Sequence, residues 1–573
     1  MANTRPTASI IVAPNEDGFG PSTFAFYIVR EFIEQWRKRK KEWSKFRRAL
    51  PTPVQARLKD RWGDRLPDLK VLFRIWGKVK YIEALFYDEI GKNGVVQIEK
   101  TDNIIRLGKR RGEVGFENTM DNLLSYPRLS KIYQKLPFPR DCIGVLDVGV
   151  PQLSLSAFNR GVPAVTVFDH AWGRSIPEIF GEFAKTKGFS KKEMEPSQAV
   201  SRAVELVCEH EALTDMVFLF PTYIAPQPYY DHWNALDVGR VELGGVLGGK
   251  PYVLDRILED ALGPDWRPVI KQTEGAFKAA VMDRLKERSF KEEVMQSLAP
   301  ALDTVDTGTW PQEIKTLLEQ SEEQHRSQIA VDLTEGKALA AFRRAVAKKK
   351  LLQLDKEIPV VYVSGGGTAV WEELWGKLVK GAVDLERNGL LRFALVLTYF
   401  PKTPEEAERY GVQDLTSTKS TDPLEMKIPV VGRTKSERIR FVRDIQGGTH
   451  QEIFYGTDLI VTRAGGGTAN DAIATRTPLV CVQEPGHWQV EAIRSALIKE
   501  GLARSVTLEI FRNNPMGVIE HELIDRWEEN QKMRRRLDSI KNRSETAAVQ
   551  LMLDYFIDPN SYYDGLVREL VFV

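Results

Sequence analysis

The sequence predicts an α/β protein of two doubly wound, Rossmann-like domains with an extra helical insertion. Three observations predict it. Short apolar runs of strand length alternate with helical patterns; this alternation comes in two sets; and a Glu/Lys/Ala/Leu-rich stretch of helical character separates them. Continuous apolar strands between helices indicate parallel sheets covered on both faces, and two such sets indicate two doubly wound domains.

In chain order, the first set of expected strands is Ser9 to Ala13, Lys70 to Ile75, Val95 to Glu99, Ile143 to Val148, Ala164 to Phe168 and Met216 to Phe220. The second is Pro359 to Val363, Arg392 to Leu397, Ile428 to Val431, Leu459 to Thr462 and Leu479 to Val482. The expected division is an N-terminal domain at 1–250, the insertion at 251–352, a C-terminal domain at 353–550 and a helical tail at 551–573. Helices are expected within the insertion around 267–287, 290–299, 311–330 and 335–352.

Composition sets the outer bounds. A chain of 573 residues exceeds one typical domain. A net charge of +2 supplies no global field for nucleic acid. The cysteines, Cys142, Cys208 and Cys481, are far apart, which suits a reducing compartment without a disulfide framework. Neither a membrane-length apolar run nor a signal-peptide pattern is present, so the expected location is the cytoplasm. Seven scattered histidines and no D-x-D pair leave no basis for a catalytic metal, so none is expected.

One charged stretch invites two readings. In and just before WRKRKKEWSKFRRAL, 36–50, the aromatics Phe32, Trp36, Trp43 and Phe46 recur at helical spacing with Lys and Arg between them. The stripe either packs inward beneath a solvated basic face or docks the protein peripherally on anionic lipid.

The chemistry concentrates in a repeated turn. VSGGGTAVWEE at 363–373 and VTRAGGGTANDAIATRTP at 461–478 each follow an apolar run and precede a helical pattern. Gly365, Gly366 and Gly367, and again Gly465, Gly466 and Gly467, allow another molecule to approach the backbone closely. Thr368 and Thr468 are placed to cap the first helical turn. Unpaired N–H groups and the positive end of a helix dipole make such a turn an anion site, most often for phosphate. Other nucleotide motifs fit less well. Gly244-x4-Gly249-Lys250 has Walker spacing but is followed by Pro251 where a Ser or Thr should bind magnesium. Neither triplet completes the dinucleotide fingerprint, which disfavours hydride transfer.

The segment DLIVTRAGGGTANDAIATRTPLVCVQEPGHWQVEAIRSALIKEGLA, 458–503, resembles the nucleotide-sugar-binding segment of GT-B glycosyltransferases. It is most similar to family 28, the group containing the peptidoglycan N-acetylglucosaminyltransferase. VVYVSGGGTA resembles the first strand and loop of their C-terminal domain, IIVAPNEDGFGPSTFAFYIVREF their N-terminal glycine-rich loop, and GVLDVGVPQLSLSAFNRGVPAVTVFDHAWG their acceptor-side strand–helix–strand. The resemblance implies a GT-B fold with the two domains facing a cleft, and transfer of a sugar from a nucleotide-diphosphate sugar, a UDP-sugar above all, to an acceptor hydroxyl. It assigns the diphosphate to Gly465–Gly467 with Thr468, both ribose hydroxyls to Asp471, and the sugar to Gln489, with His487 in the same loop. Arg463 and Arg433 could add positive charge.

On the acceptor side lies the loop containing Gly18, Gly20 and Ser22. Asp17 is the candidate general base, with Glu16 behind it and His170 as an alternative. The nucleotide-sugar is a co-substrate, so no cofactor is implied, and backbone N–H groups stabilise the leaving diphosphate without a metal. Glu484 and Glu491 are seven positions apart, where retaining relatives place two Glu residues eight apart, so the resemblance favours inversion. The chain departs from the family at Asp471, shorter than the usual Glu, at Ile493, where an Asn is usual, and in a first loop lacking the usual His. The acceptor is open, with lipid-linked or anionic molecules suggested by the basic helix. Two other functions remain in view: a nucleotide-sugar epimerase or hydrolase on the same fold, and a non-catalytic nucleotide-sugar-binding partner.

Overall fold

A computed structural model describes residues 7–15, 20–75, 79–91, 94–101, 109–110, 113–114, 116–168, 172–173, 176–177, 198–221, 224, 239–243, 245–264, 266–268, 270–272, 275, 338–354, 358–365, 371–398, 431–433, 438–442, 448–483, 488–541 and 544–560. The expected helices at 290–299 and 311–330, and most of 267–287, lie outside them.

The first sheet contains β1 (Thr7–Pro14), β2 (Asp68–Ile75) and β3 (Val96–Lys100). A small hairpin of β4 (Lys109–Arg110) and β5 (Glu113–Val114) stands apart. The sheet continues with β6 (Cys142–Val148), β7 (Ala164–Val167), β8 (Met216–Leu219) and β9 (Gly239–Glu242). Its order is β3-β2-β1-β6-β7-β8-β9, with every neighbour parallel. The second sheet comprises β10 (Val360–Ser364), β11 (Ala394–Leu397), β12 (Val431–Arg433), β13 (Ile439–Val442), β14 (Leu459–Thr462), β15 (Leu479–Gln483) and β16 (Arg504–Thr507). Its order is β12-β13-β11-β10-β14-β15-β16, parallel except for the edge strand β12.

Both sheets wind outward one way, return, and wind the other. The direction reverses between β1 and β6 in the first and between β10 and β14 in the second. Those are the switch points at which open α/β sheets leave a crevice beyond the strand carboxyl ends.

Three strands of the two large sheets escaped the sequence pattern because charge interrupts them. GRVE forms β9, IRFV forms β13 and RSVT forms β16. Arg440 of β13 is 2% exposed. Its guanidinium donates to the carbonyls of Leu352 and Gln353 at 2.9 Å each, so the arginine ties the sheet to the end of the π-helical turn Ala347–Leu351. The same turn buries Lys348 against Asp458 at 2.9 Å. Asp458 also accepts from the Val360 amide, a second bond that a buried ion pair needs to offset its desolvation.

The basic stretch resolves into α1 (Gly20–Lys41), α2 (Trp43–Arg48) and α3 (Thr52–Trp62). Trp36 and Trp43 are buried. Trp36 stands edge-on to Trp62 and donates to the Pro67 carbonyl at 3.1 Å. The aromatic stripe therefore packs inward, and Arg37, Lys38, Lys41, Lys45 and Arg48 remain exposed.

The helix Glu545–Ile557 begins before the expected tail and returns to the first domain, against α1 and β6. Arg39 pairs with Asp554 at 2.8 Å, and the Trp62 indole donates to the Ile557 carbonyl at 3.0 Å. Two linkers thus run side by side between the domains. The Val246 amide donates to the Lys541 carbonyl at 3.1 Å, and the Ser544 amide to the Val246 carbonyl at 3.2 Å. Glu452 caps the helix Tyr252–Leu262 through the amides of Val253 and Leu254, at 3.2 and 2.8 Å.

Two predictions follow from this packing. A Cβ on Gly144 would fall 2.5 Å from the Phe556 ring. Gly144→Ala should destabilise the protein by roughly 1–3 kcal/mol through overpacking, and Phe556→Leu should recover part of the loss in a thermal melt. Burial raises the carboxyls of Asp147 and Glu452 to about 7 each. Both hold a proton when folded and release it when unfolded between roughly pH 4 and 7, so their contribution to stability falls as pH rises through that window. His210, lowered to about 4 by burial, acts in the opposite sense between about pH 4 and 6.5. With Asp471, likewise raised to about 7 by burial, three carboxyls outweigh the one imidazole. The melting temperature should fall from pH 5 to pH 7.5, and less steeply in Glu452→Gln.

Candidate functional site

The repeated turns meet at the switch point of the second sheet. β10 and β14 are paired in parallel with Ser364 opposite Thr462, so Gly365 and Gly465 leave the same edge. At the second turn the left-handed residue is Ala464, with φ of 65°, rather than a glycine. Such a conformation in a buried alanine is strained and persists only where its surroundings enforce it. Gly465 is extended, with φ −63° and ψ 148°, and serves as N-cap of the helix Gly466–Ala474. Thr468 is therefore inside the helix, and the N-cap residue, a glycine, has no side chain to cap that terminus. A first turn without a side-chain cap keeps N–H donors available to a ligand. Among the described residues no atom would lie within 4 Å of a Cβ on Gly465, so they leave that side of the turn open.

The other glycines answer to close packing. A Cβ on Gly365 would overlap Trp371, and one on Gly467 would lie 2.9 Å from the Cα of Gly20. Gly20 opens α1, which follows the first sheet's own switch strand β1. The positive ends of two helices, one from each domain, thus come together at Gly20 and Gly467. Ser22, two residues on, is 1% exposed, and its Oγ has no hydrogen-bond partner among the described residues. Gln152, beyond the carboxyl end of β6, is fully buried with neither amide atom partnered among the described residues.

Asp471 lies in the next turn of the same helix and is 6% exposed. Its Oδ1 accepts from the Tyr27 hydroxyl of α1 at 2.8 Å and from Asn470 at 3.4 Å. Burial pushes the Asp471 carboxyl up to about 7, against the opposing pull of these two bonds. Burial, then the Asp471 charge, holds the Tyr27 phenol well above its ordinary value. Tyr27 also reaches Thr449 Oγ1 at 3.3 Å. Asn470 exchanges two bonds with the backbone of Leu247 in the linker, at 3.0 and 2.7 Å. Nearby, the Tyr362 hydroxyl contacts His450 Nδ1 at 2.8 Å.

The structure brings Gly20, Gly365, Gly465, Gly466, Gly467, Thr468 and Asp471 to this seam. Arg463 joins β14 to the turn, and Gln489 lies in the first turn of the helix Trp488–Lys499 beyond the neighbouring strand β15. It does not bring Arg433 there. Its backbone is in the edge strand opposite Arg440, three strands from β10 and on the run away from the carboxyl edge. Asp17, Gly18, His170, Gly366, Gly367, Thr368 and His487 lie outside the described residues. Sequence reasoning missed Tyr27, Thr449, Asn470 and Gln152. Tyr27 sits in the run FAFYIV, which reads as core, and only the polar pair Asn470–Asp471 on an otherwise small, apolar helix signals a contact.

Several solved structures are similar in overall course. A UDP-glucose: anthocyanidin 3-O-glucosyltransferase in complex with UDP aligns with a TM-score of 0.45 and 11% identity, over 97% of this chain and 100% of that one. Phytolacca americana UGT2, complexed with UDP-2fluoro-glucose and pterostilbene, gives 0.43 and 12%, over 96% and 99%. CalG4, the calicheamicin glycosyltransferase, gives 0.43 and 12%, over 96% and 98%. No protein-family model and no curated protein sequence matches the chain. This chain thus consists of two doubly wound sheets whose carboxyl-end loops meet across a seam.

Proposed function

We propose that this chain is a metal-independent, inverting glycosyltransferase that moves a sugar from a UDP-sugar to an acceptor hydroxyl. The observation that carries the reading is the uncapped, glycine-built helix start at 465–468, set at a switch point and faced by the start of α1. Backbone N–H groups and two helix dipoles aimed at one place would stabilise a departing diphosphate without rearrangement in the transition state. In this reading Gly465–Gly467 and Thr468, with Gly365–Gly367 and Thr368 beside them, hold the diphosphate, and Arg463 adds charge. Asp471 takes the ribose, and His487 and Gln489 take the sugar. Asp17 is the base that activates the acceptor, with His170 as the alternative, in a wall that includes Gly18, Gly20 and Ser22. The buried amide of Gln152, unpartnered among the described residues, lies beyond the carboxyl end of the neighbouring strand β6.

A second reading has one specific observation behind it. Asp471 is sealed by Tyr27, as it would be in a non-catalytic protein that keeps the two-domain shell. Both bind the nucleotide-sugar, so turnover separates them: donor binding without sugar transfer, unchanged in Asp17→Asn, favours the second, while UDP affinity tests the site itself. Gly466→Asp places a carboxylate where the diphosphate should lie, so calorimetry should show at least a tenfold loss of UDP affinity with the melting profile kept. Undiminished affinity in a folded variant would sink the site assignment.

The acceptor in this reading is lipid-linked or anionic, reached through peripheral contact with an anionic membrane surface. With its aromatics turned inward, the stretch 36–50 offers charge alone. Binding should therefore be electrostatic and salt-sensitive. The protein should co-float with vesicles containing phosphatidylglycerol, not with pure phosphatidylcholine. Flotation should disappear at high salt and in the variant Lys38→Glu/Lys41→Glu/Lys45→Glu; retention in that variant would exclude this surface.

A further inference from the structure

We infer that Tyr27 is a resident substitute for the donor's ribose, which the nucleotide must displace from Asp471 to enter the seam. The inference rests on the donor-site reading above and concerns how that site is held shut. A carboxylate that binds a vicinal diol accepts hydrogen bonds from hydroxyl groups. The Tyr27 phenol is a hydroxyl donor, 2.8 Å from Asp471 Oδ1, delivered by the opposite domain. The carboxyl it engages is 6% exposed, so a nucleotide cannot reach Asp471 while Tyr27 stays in place.

Tyr27 is not free to swing aside by itself. Gly249, at φ 43°, presses its backbone on the ring, with a would-be Cβ 2.4 Å from a ring carbon. Gly249 belongs to the same linker whose Leu247 backbone is bonded twice by Asn470, the neighbour of Asp471. Gly467, one turn earlier, abuts Gly20. Gly249 holds the Tyr27 ring on its own side of the seam, while the Tyr27–Asp471, Leu247–Asn470 and Gly20–Gly467 contacts join the first domain or its linker to the helix Gly466–Ala474. These cross-seam contacts form together when the domains close and part together when the domains separate. Tyr27 release, exposure of Asp471 and widening of the Gly20–Gly467 gap are therefore one event. Loss of the Tyr27 bond should raise the population of the open, binding-competent state and so the apparent affinity for nucleotide.

The test is calorimetric titration of the full chain with UDP and with 2′,3′-dideoxy-UDP, on the wild type, Tyr27→Phe and Asp471→Asn. Thr449→Val serves as a second variant that loosens Tyr27 without touching its ring, and each variant is checked by thermal melting. Tyr27→Phe should bind UDP roughly three- to tenfold tighter than wild type, and Thr449→Val should change it in the same direction by less. The dideoxy ligand should bind more weakly than UDP to wild type and Tyr27→Phe, and equally to UDP in Asp471→Asn. If UDP binds but its affinity is unchanged or lower in both Tyr27→Phe and Thr449→Val, the latch is overturned and the donor site stands. If UDP and its dideoxy form bind wild type alike, Asp471 does not read the ribose and the inference falls in the same way. If UDP binds none of the proteins, the donor-site reading itself fails.

Discussion

The hydrogen bond from Tyr27 to Asp471 is the point on which the arrangement of this molecule turns. It is made across the seam, in a place from which water is nearly excluded, and it joins the first helix of one domain to the switch-point helix of the other. A buried carboxyl without such a donor would carry the whole cost of its desolvation. The bond thus makes domain closure tolerable for Asp471, and the glycines at 20 and 467 make it sterically achievable. Around it, polar groups from both domains and the linker settle their hydrogen bonds with one another: Thr449 with Tyr27, Asn470 with Leu247, Tyr362 with His450.

Glycine serves two different ends in the repeated turns. At 465 it leaves space, among the described residues, beside a helix start whose N-cap has no side chain, which suits a ligand. At 365 and 467 it makes room for protein, a tryptophan in one case and the other domain's backbone in the other. The backbone strain of the second turn sits on Ala464 instead. A turn of this kind is shaped as much by what packs on it as by what it could bind.

Most of the sheet architecture was legible in the sequence because parallel strands covered on both faces must be apolar throughout. The runs ending at Val148, Val167 and Thr462 are of that type. Strands β13 and β16 were hidden because Arg440 and Arg504 interrupt the apolar signal, and each arginine is tied down by partners remote in sequence. The turn at 465–468 was legible from its glycines, yet its helix starts two residues before Thr468, because Gly465 can act as N-cap without a side chain. Tyr27 could not have been found this way. Its partner is 444 positions along the chain, and nothing local distinguishes a core tyrosine from one that crosses a domain boundary. The aromatic stripe at 36–50 was undecidable from spacing alone; the partners that bury it, Trp62 and the helix ending at Ile557, come from elsewhere in the chain.

The paired linkers have a mechanical consequence. Val246 is bonded on both sides to the returning strand of chain at Lys541 and Ser544, and Glu545 receives the Gly248 amide at 3.1 Å. Two tethers fastened to each other resist twisting far better than one, and they leave bending about their common line as the soft coordinate. The halves of this protein hang on two adjacent pins, which hold them in one register against sliding and swivelling.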